Sequence, residues 1–265
     1  MKPKLIIVGA AGRMGRKITF LAHQSDEFNI VAAIEDKNCP EIGKDAGALA
    51  GIEAIGTKVD IHYPTAADVL INFSLPAAID NVIDYCVRKT CALVSGTTGL
   101  TAEQLKKMDE ASKKIPIIHA TNMSIGINVL FEIVGTLAQK LGEDYDVEII
   151  EAHHRMKKDA PSGSAITLAE KIAAATNKKF PDCLDIGRKG KESLRKKGSI
   201  GIQAIRLGDT VGEHSVMFGT VGETVTISHS AHSRDTFAAG AIRAALWLVG
   251  KKPARYSMAD VLGLK

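Results

Sequence analysis

KLIIVGAAGRMGRKITFLA, residues 4–22, decides the fold class. Lys4 to Val8 is a short, β-branched apolar run, the composition of a strand buried on both faces. Arg13 to Ala22 carries helical spacing, and Gly9-Ala10-Ala11-Gly12-Arg13-Met14-Gly15 joins the two. Strand, glycine turn and helix in immediate succession open a unit of parallel sheet. The glycines admit two readings: tight packing of helix on strand, or a loop whose backbone lets a pyrophosphate approach the helix N-terminus. The spacing is G-x-x-G-x-x-G rather than the usual G-x-G-x-x-G, with Ala11 at the middle glycine. Glu35, 20 residues beyond Gly15 at the end of the next strand-like run, favours a dinucleotide, because an acid there accepts hydrogen bonds from the adenosine ribose.

Outward from this stretch the alternation continues. Strand-like runs occur at Asn29–Ile34, Asp68–Phe73, Ala92–Ser95 and Pro116–His119, with helical stretches at Pro76–Arg88 and Thr101–Lys114 between the later ones. Thr101 can cap its helix with Gln104 at the reciprocal position. This predicts a Rossmann-like, doubly wound parallel sheet. The turns Gly96-Thr97-Thr98 and Ala120-Thr121-Asn122-Met123 follow strand ends, where ligands of such sheets lie, although each could be a plain turn.

The pattern then changes. A long apolar helix spans Ile125–Leu141, a strand Val147–Ala152, and a helix Ala165–Ala175. Runs Ser199–Leu207, Glu213–Phe218 and Glu223–Ala231 follow, the last alternating as a half-exposed strand does, and Phe237–Val249 is a final helix. The expected organisation is α/β: residues 1–124 with 234–265 as the dinucleotide-binding domain, and 125–233 as a smaller α+β domain for substrate binding and oligomerisation.

Composition narrows the function classes. The net charge of +4 and 24% charged residues describe an ordinary globular chain, without the concentrated basic surface of a nucleic-acid binder. The basic run Arg188–Lys197 has two glycines and no aromatic interleaving, and reads as a solvated loop. Four cysteines without CxxC pairing read as reduced thiols of a cytoplasmic protein. The apolar run at residues 5–8 is too short for a signal peptide, and nothing approaches membrane-spanning length.

The densest chemistry lies in EAHHRMKKDAPSGSA, residues 151–165. A solvated loop, a metal site, a phosphate cradle and a catalytic segment all compete for it. Adjacent histidines chelate one metal poorly and no HExxH or nearby cysteine supports zinc, so no metal is expected. His153 and His154, neighbours at a strand end, should point to opposite sides and so differ in role.

Gly9–Gly15, Gly96–Gly99, Asn122 with Ser124–Asn128, Gly212-Glu213-His214 and above all Glu151–Arg155 with Lys157 and Asp159–Gly163 closely resemble the dihydrodipicolinate reductase family, now also called 4-hydroxy-tetrahydrodipicolinate reductases. The resemblance implies an NAD(P)H-dependent reductase of lysine and diaminopimelate biosynthesis, usually a homotetramer, acting on a small dicarboxylate heterocycle. It implies that His153 and Lys157 handle the proton, without settling which delivers it, and that His154 and the Gly163-Ser164 pair contact substrate. Serine here stands for the family's threonine and keeps the hydroxyl. Cofactor contacts carry over to Gly9, Ala10, Ala11, Gly12, Arg13, Met14, Glu35, Gly96, Thr97, Thr98, Ala120, Thr121, Asn122 and Met123, with Arg234 and Phe237 near the domain junction. Asp36 stands where some members carry an arginine suited to NADPH, which leans the choice toward NADH, and Leu75 replaces an arginine that some members place after the Asp68–Phe73 strand. Arg13, Arg16, Lys17 and Lys37 work against that lean. An amino-acid dehydrogenase of similar plan and a non-enzymatic cofactor sensor are the rival readings; neither gives residues 151–165 a task.

Overall fold

The computed structural model describes residues 1–264. In chain order it forms β1 (Lys4–Val8), α1 (Arg13–Ser25), β2 (Asn29–Ile34), α2 (Ala46–Ala50), β3 (Val59–Asp60), β4 (Val69–Asn72), α3 (Ile79–Lys89), β5 (Ala92–Ser95), α4 (Ala102–Ser112), β6 (Pro116–His119) and α5 (Ile125–Leu141). There follow β7 (Asp146–His153), α6 (Gly163–Ala175), β8 (Leu184–Ile186), β9 (Ile200–Arg206), β10 (Gly212–Thr220), β11 (Glu223–Ala231), α7 (Asp235–Leu248), β12 (Ala254–Tyr256) and α8 (Met258–Leu262). The chain divides into two compact units, Met1–Ile125 with Arg234–Lys265, and Gly126–Ser233.

The first unit is a seven-stranded sheet in the order β12-β6-β5-β4-β1-β2-β3, every pairing parallel. Both faces are covered, which is why its strands read as continuous apolar runs. Along β1, Leu5 and Ile7 point into a core shared with Ile18 of α1 and Ala241 and Ala245 of α7. Ile6 and Val8 point the other way, against Val82 and Ile83 of α3 and Met108 of α4. Strand order reverses on either side of β1, and a ligand crevice opens outside the strand ends at such a switch point. The capping box of Thr101 and Gln104 forms as the sequence requires. Pro76–Ala78 is a 3-10 turn leading into α3, and the short elements α2, β3, β8, β12 and α8 carry too little periodicity to be read in advance.

The second unit is a mixed sheet, β11-β10-β7-β9-β8, antiparallel around β10 and parallel at β7–β9 and β8–β9. Helices α5 and α6 cover one face, where Ile127, Phe131, Leu168 and Ile172 meet Val147, Ile149, Ile202, Val216 and Phe218. The basic run is only partly solvated. Its lysines are exposed, but Arg188 pairs with Glu148 and Asp185, and Arg195 pairs with Asp146 and Glu148. No helix among the described residues is long and apolar enough to cross a membrane.

Candidate active site

The glycine loop is built for close approach. Gly9 takes φ +79°, and a Cβ there would stand 2.8 Å from the Phe73 carbonyl oxygen, so only glycine fits. A Cβ on Gly15 would collide with the Gly9 carbonyl, which explains how α1 seats directly on the turn. The N-cap of α1 is Gly12, with no side-chain cap and no acid in the first turn, so the helix dipole is left for an external anion. Arg13 and Met14 occupy that turn. Arg234, the N-cap of α7, has its guanidinium pushed below the usual range by burial and by the like charge of Arg13. An anion relieves such a pair of cations.

Glu35 accepts the Ala11 N–H at 2.8 Å through Oε1, which ties the tip of β2 to the glycine loop. The neighbouring Asp36 carboxylate accepts the Asn38 backbone and side-chain N–H groups, both at 2.9 Å. Gly9, Gly12, Glu35, Asp36, Lys37 and Leu75 lie around one cleft of about 610 Å³, large enough for a nucleoside and its phosphates.

The two other turns are locked from within. Gly96 lies under the Phe73 ring, which a Cβ would strike. The Thr97 hydroxyl accepts from Asn72 Nδ2 at 3.0 Å and donates to the Ser74 carbonyl at 3.0 Å, with Thr97 only 3% exposed, so its side chain is structural. His119 bonds the Thr97 carbonyl at 2.9 Å, linking this turn to the one that begins at Ala120. Thr98 and Thr121 are exposed, and Asn122 Oδ1 accepts the Ser124 N–H at 3.0 Å. Met123 is buried in the core with its carbonyl packed on Gly240 of α7, and Phe237 is half-buried in the first turn of that helix.

In the second unit the inward face of the sheet changes character at one end. Val147 and Ile149 of β7 are followed at the same two-residue period by Glu151 and His153. In β9, Ile200 and Ile202 give way to Arg206, and in β10, Phe218 and Val216 give way to His214 and Gly212. Register places His214 opposite Glu151 and His153 opposite Arg206. The result is a polar cluster at the rim of an apolar core.

Glu151 is its hub. Completely buried, it takes a bidentate pair from Arg206 at 2.8 Å for each bond, His153 Nδ1 at 2.6 Å and the Ser162 N–H at 3.1 Å. Burial opposes its charge, but the bonds from Arg206 and His153 outweigh that and hold its carboxyl below the usual range. Ser162 caps α6 by accepting the Ala165 N–H at 3.2 Å, and its Oγ lies 3.0 Å from His214 Nε2. His214 is pulled down to about 3, first by burial and then by His153, and stays neutral. Burial also lowers His153, against the pull of Glu151.

Lys157 reaches both oxygens of Asp159 at 2.9 Å, so its charge is held in place by a local carboxylate. His154 is half-buried in the turn beyond β7, its carbonyl accepting the Lys157 N–H at 3.0 Å. Gly163 and Ser164 are the first two residues of α6, which begins two residues earlier than its periodicity suggests because Ser162 caps it. A Cβ on Gly163 would meet nothing within 4 Å, so the helix tip faces open space.

Family models of dihydrodipicolinate reductase match both parts of the chain, the N-terminal one over residues 3–123 and the C-terminal one over 126–262. The chain belongs to the dihydrodipicolinate reductase family. It is 45% identical over its whole length to the 4-hydroxy-tetrahydrodipicolinate reductase of Alkalilimnicola ehrlichii, covering all of that protein. It is 46% identical to the enzyme of that name from Anaeromyxobacter dehalogenans, with 99% of this chain and 98% of the relative covered. Among solved structures, dipicolinate-bound dihydrodipicolinate reductase from Paenisporosarcina sp. TG-14 shares the fold, with a TM-score of 0.75, 22% identity and 98% and 99% of the two chains covered. An amine dehydrogenase from Mycobacterium smegmatis also shares it, at a TM-score of 0.65 and 12% identity over 97% and 95% of the chains. The family's C-terminal match runs through α7, β12 and α8, which belong spatially to the first unit.

Sequence reasoning missed Arg206 and gave Glu151 no task. A signal for both was present: each stands on the apolar period of its strand, where a charge is out of place unless it is paired.

Proposed function

We propose that the cluster of His153, His154, Lys157 and the α6 tip binds and protonates the substrate, while the glycine-loop cleft of the first unit holds the cofactor. The activity itself follows from full-length relatives at 42–46% identity: the chain is an NAD(P)H-dependent oxidoreductase that reduces 4-hydroxy-tetrahydrodipicolinate in the diaminopimelate route to lysine. That displaces the amino-acid dehydrogenase and the cofactor sensor.

The observation that carries the site assignment is the juxtaposition, within one unit, of a carboxylate-held imidazole, a lysine and an open helix N-terminus. A doubly negative ring needs fixed positive charge and aligned donors. Lys157 supplies the charge, exchanging Asp159 for a substrate carboxylate. Gly163 and Ser164 supply backbone donors at the positive end of α6. His154 adds a further donor. When bound, the reduced nicotinamide supplies a hydride to the ring. The matching proton comes from His153 or Lys157.

The cleft fits a dinucleotide on the chain's own features: bare glycines, an uncapped helix, paired cations and Glu35 at the ribose position. NADH is the preferred form, because Asp36 opposes a 2′-phosphate at the same cleft. We further propose a cytoplasmic homotetramer assembled through the second unit. The sheet face opposite α5 and α6 bears small uncharged pairs such as Ser215 with Ser228, 2.9 Å apart. Purified protein should oxidise NADH only when the condensation product of pyruvate and aspartate semialdehyde is present. No dependence on that product would refute the reading.

A further inference from the structure

We propose that Glu151, clamped by Arg206, is a positioning residue for His153: its buried carboxylate takes the Nδ1–H, leaving Nε2 as the nitrogen that carries the working proton. The inference rests on the assignment of His153 above and extends it to two residues outside the substrate contacts.

Geometry makes the case. Glu151 and His153 stand two apart on one strand and so share a face, and the Nδ1 contact is 2.6 Å. An ionised carboxylate accepts only, so the ring nitrogen facing it must hold a hydrogen. Nε2 lies beside Gly212, where even a Cβ would come within 3.1 Å, so the missing side chain keeps that nitrogen clear. Arg206 fixes the carboxylate in turn. It grips both oxygens and donates also to the carbonyls of Asp159 at 2.7 Å and Ile205 at 2.6 Å. The Ser162 N–H completes the set from the loop before α6. The carboxylate is thus held from its own strand, from β9 and from the α6 cap, and cannot swing away from the ring.

The charges facing His153 are Glu151 on its own strand, Arg206 on β9 and Lys157 on the following loop, with neutral His214 on β10 packed edge-on at 5.2 Å between ring centroids. Glu151 is the anion in that group and opposes burial, Lys157 and Arg206. Its removal therefore makes the imidazolium harder to form. A purely structural Glu151 would cost stability and leave the ring's titration alone.

The test uses the full-length enzyme with Glu151→Gln and the double variant Glu151→Gln/Arg206→Met. The double removes both members of the buried pair and so avoids stranding one charge. Imidazole ¹⁵N spectra are recorded against pH, alongside the pH profile of kcat. The expected result is a wild-type His153 ring protonated at Nδ1 and titrating at Nε2. In both variants its midpoint moves to lower pH, the alkaline limb of kcat moves with it, and turnover falls by about 10²-fold, with KM for NADH unchanged. A His153 tautomer and midpoint untouched in both variants would overturn the positioning role. A midpoint that moves while the kcat limb stays fixed would instead overturn the assignment of His153 to the proton step.

Discussion

At the scale of single residues, Lys157 is the charge proposed to meet the substrate. Asp159 occupies its ammonium at 2.9 Å, so on this proposal the substrate binds by exchanging one carboxylate for another. Lys157→Ala should lower kcat/KM for the heterocycle by roughly 10²–10⁴-fold if Lys157 both binds and delivers the proton. NADH affinity, read by fluorescence titration, should stay near wild type, because the glycine loop belongs to the other unit. Equal loss of both would mean the variant is misfolded. Asp36 is proposed to bear on a different choice, that of cofactor. Asp36→Arg should raise the NADPH-to-NADH ratio of kcat/KM, because it replaces a charge that repels a 2′-phosphate with one that binds it. An unchanged ratio would place cofactor selection elsewhere in the cleft.

At the scale of elements, the chemistry hangs on where strands end and where one helix begins. Ser162 both caps α6 and meets His214, so Ser162→Ala should cost about 1 kcal/mol from the cap alone. The loss is measurable by urea denaturation. Arg206→Met should cost more, roughly 3–5 kcal/mol near neutral pH, because it leaves a buried carboxylate uncompensated. The pH dependence has a definite sign. Glu151 is held below its ordinary value of 4.5, so its stabilising contribution is present above that pH and lost as the pH falls through the depressed folded value. The gap between wild type and Arg206→Met should therefore narrow in acid; a gap constant with pH would contradict the ion pair as its source.

These same elements show what the sequence discloses. β1, β5, α5 and β11 are legible to the residue because an apolar period meets a glycine at one end, and β2 and β6 because a short apolar run stands between polar stretches. α6 reads two residues short, since Gly163 and Ser164 look like loop until the Ser162 cap is seen. β3, β8 and β12 are two or three residues long and depend on neighbouring strands rather than on their own pattern. In the site, the histidine pair and Lys157 are legible because unusual residues cluster in sequence. The Arg206 partnership is not, because 55 residues separate it from Glu151 and only strand register brings the two together.

At the scale of the whole molecule, one parallel sheet supplies the glycine-loop cleft and one mixed sheet supplies the polar cluster, each within its own core. The exposed sheet face of the second unit is the surface proposed for self-association. Light scattering should return four times the 28.2 kDa chain mass; a monomer at assay concentration would refute that assembly. On the function proposed above, the 151–165 segment turns over a dicarboxylate ring with hydride from a separately bound cofactor. Single-turnover oxidation of enzyme-bound NADH, followed at 340 nm in wild type and Lys157→Ala, tests this most directly. Wild type should show rapid substrate-dependent oxidation, and the variant should bind NADH normally yet oxidise it at least about 10²-fold more slowly. Equal rates in the two proteins would contradict it.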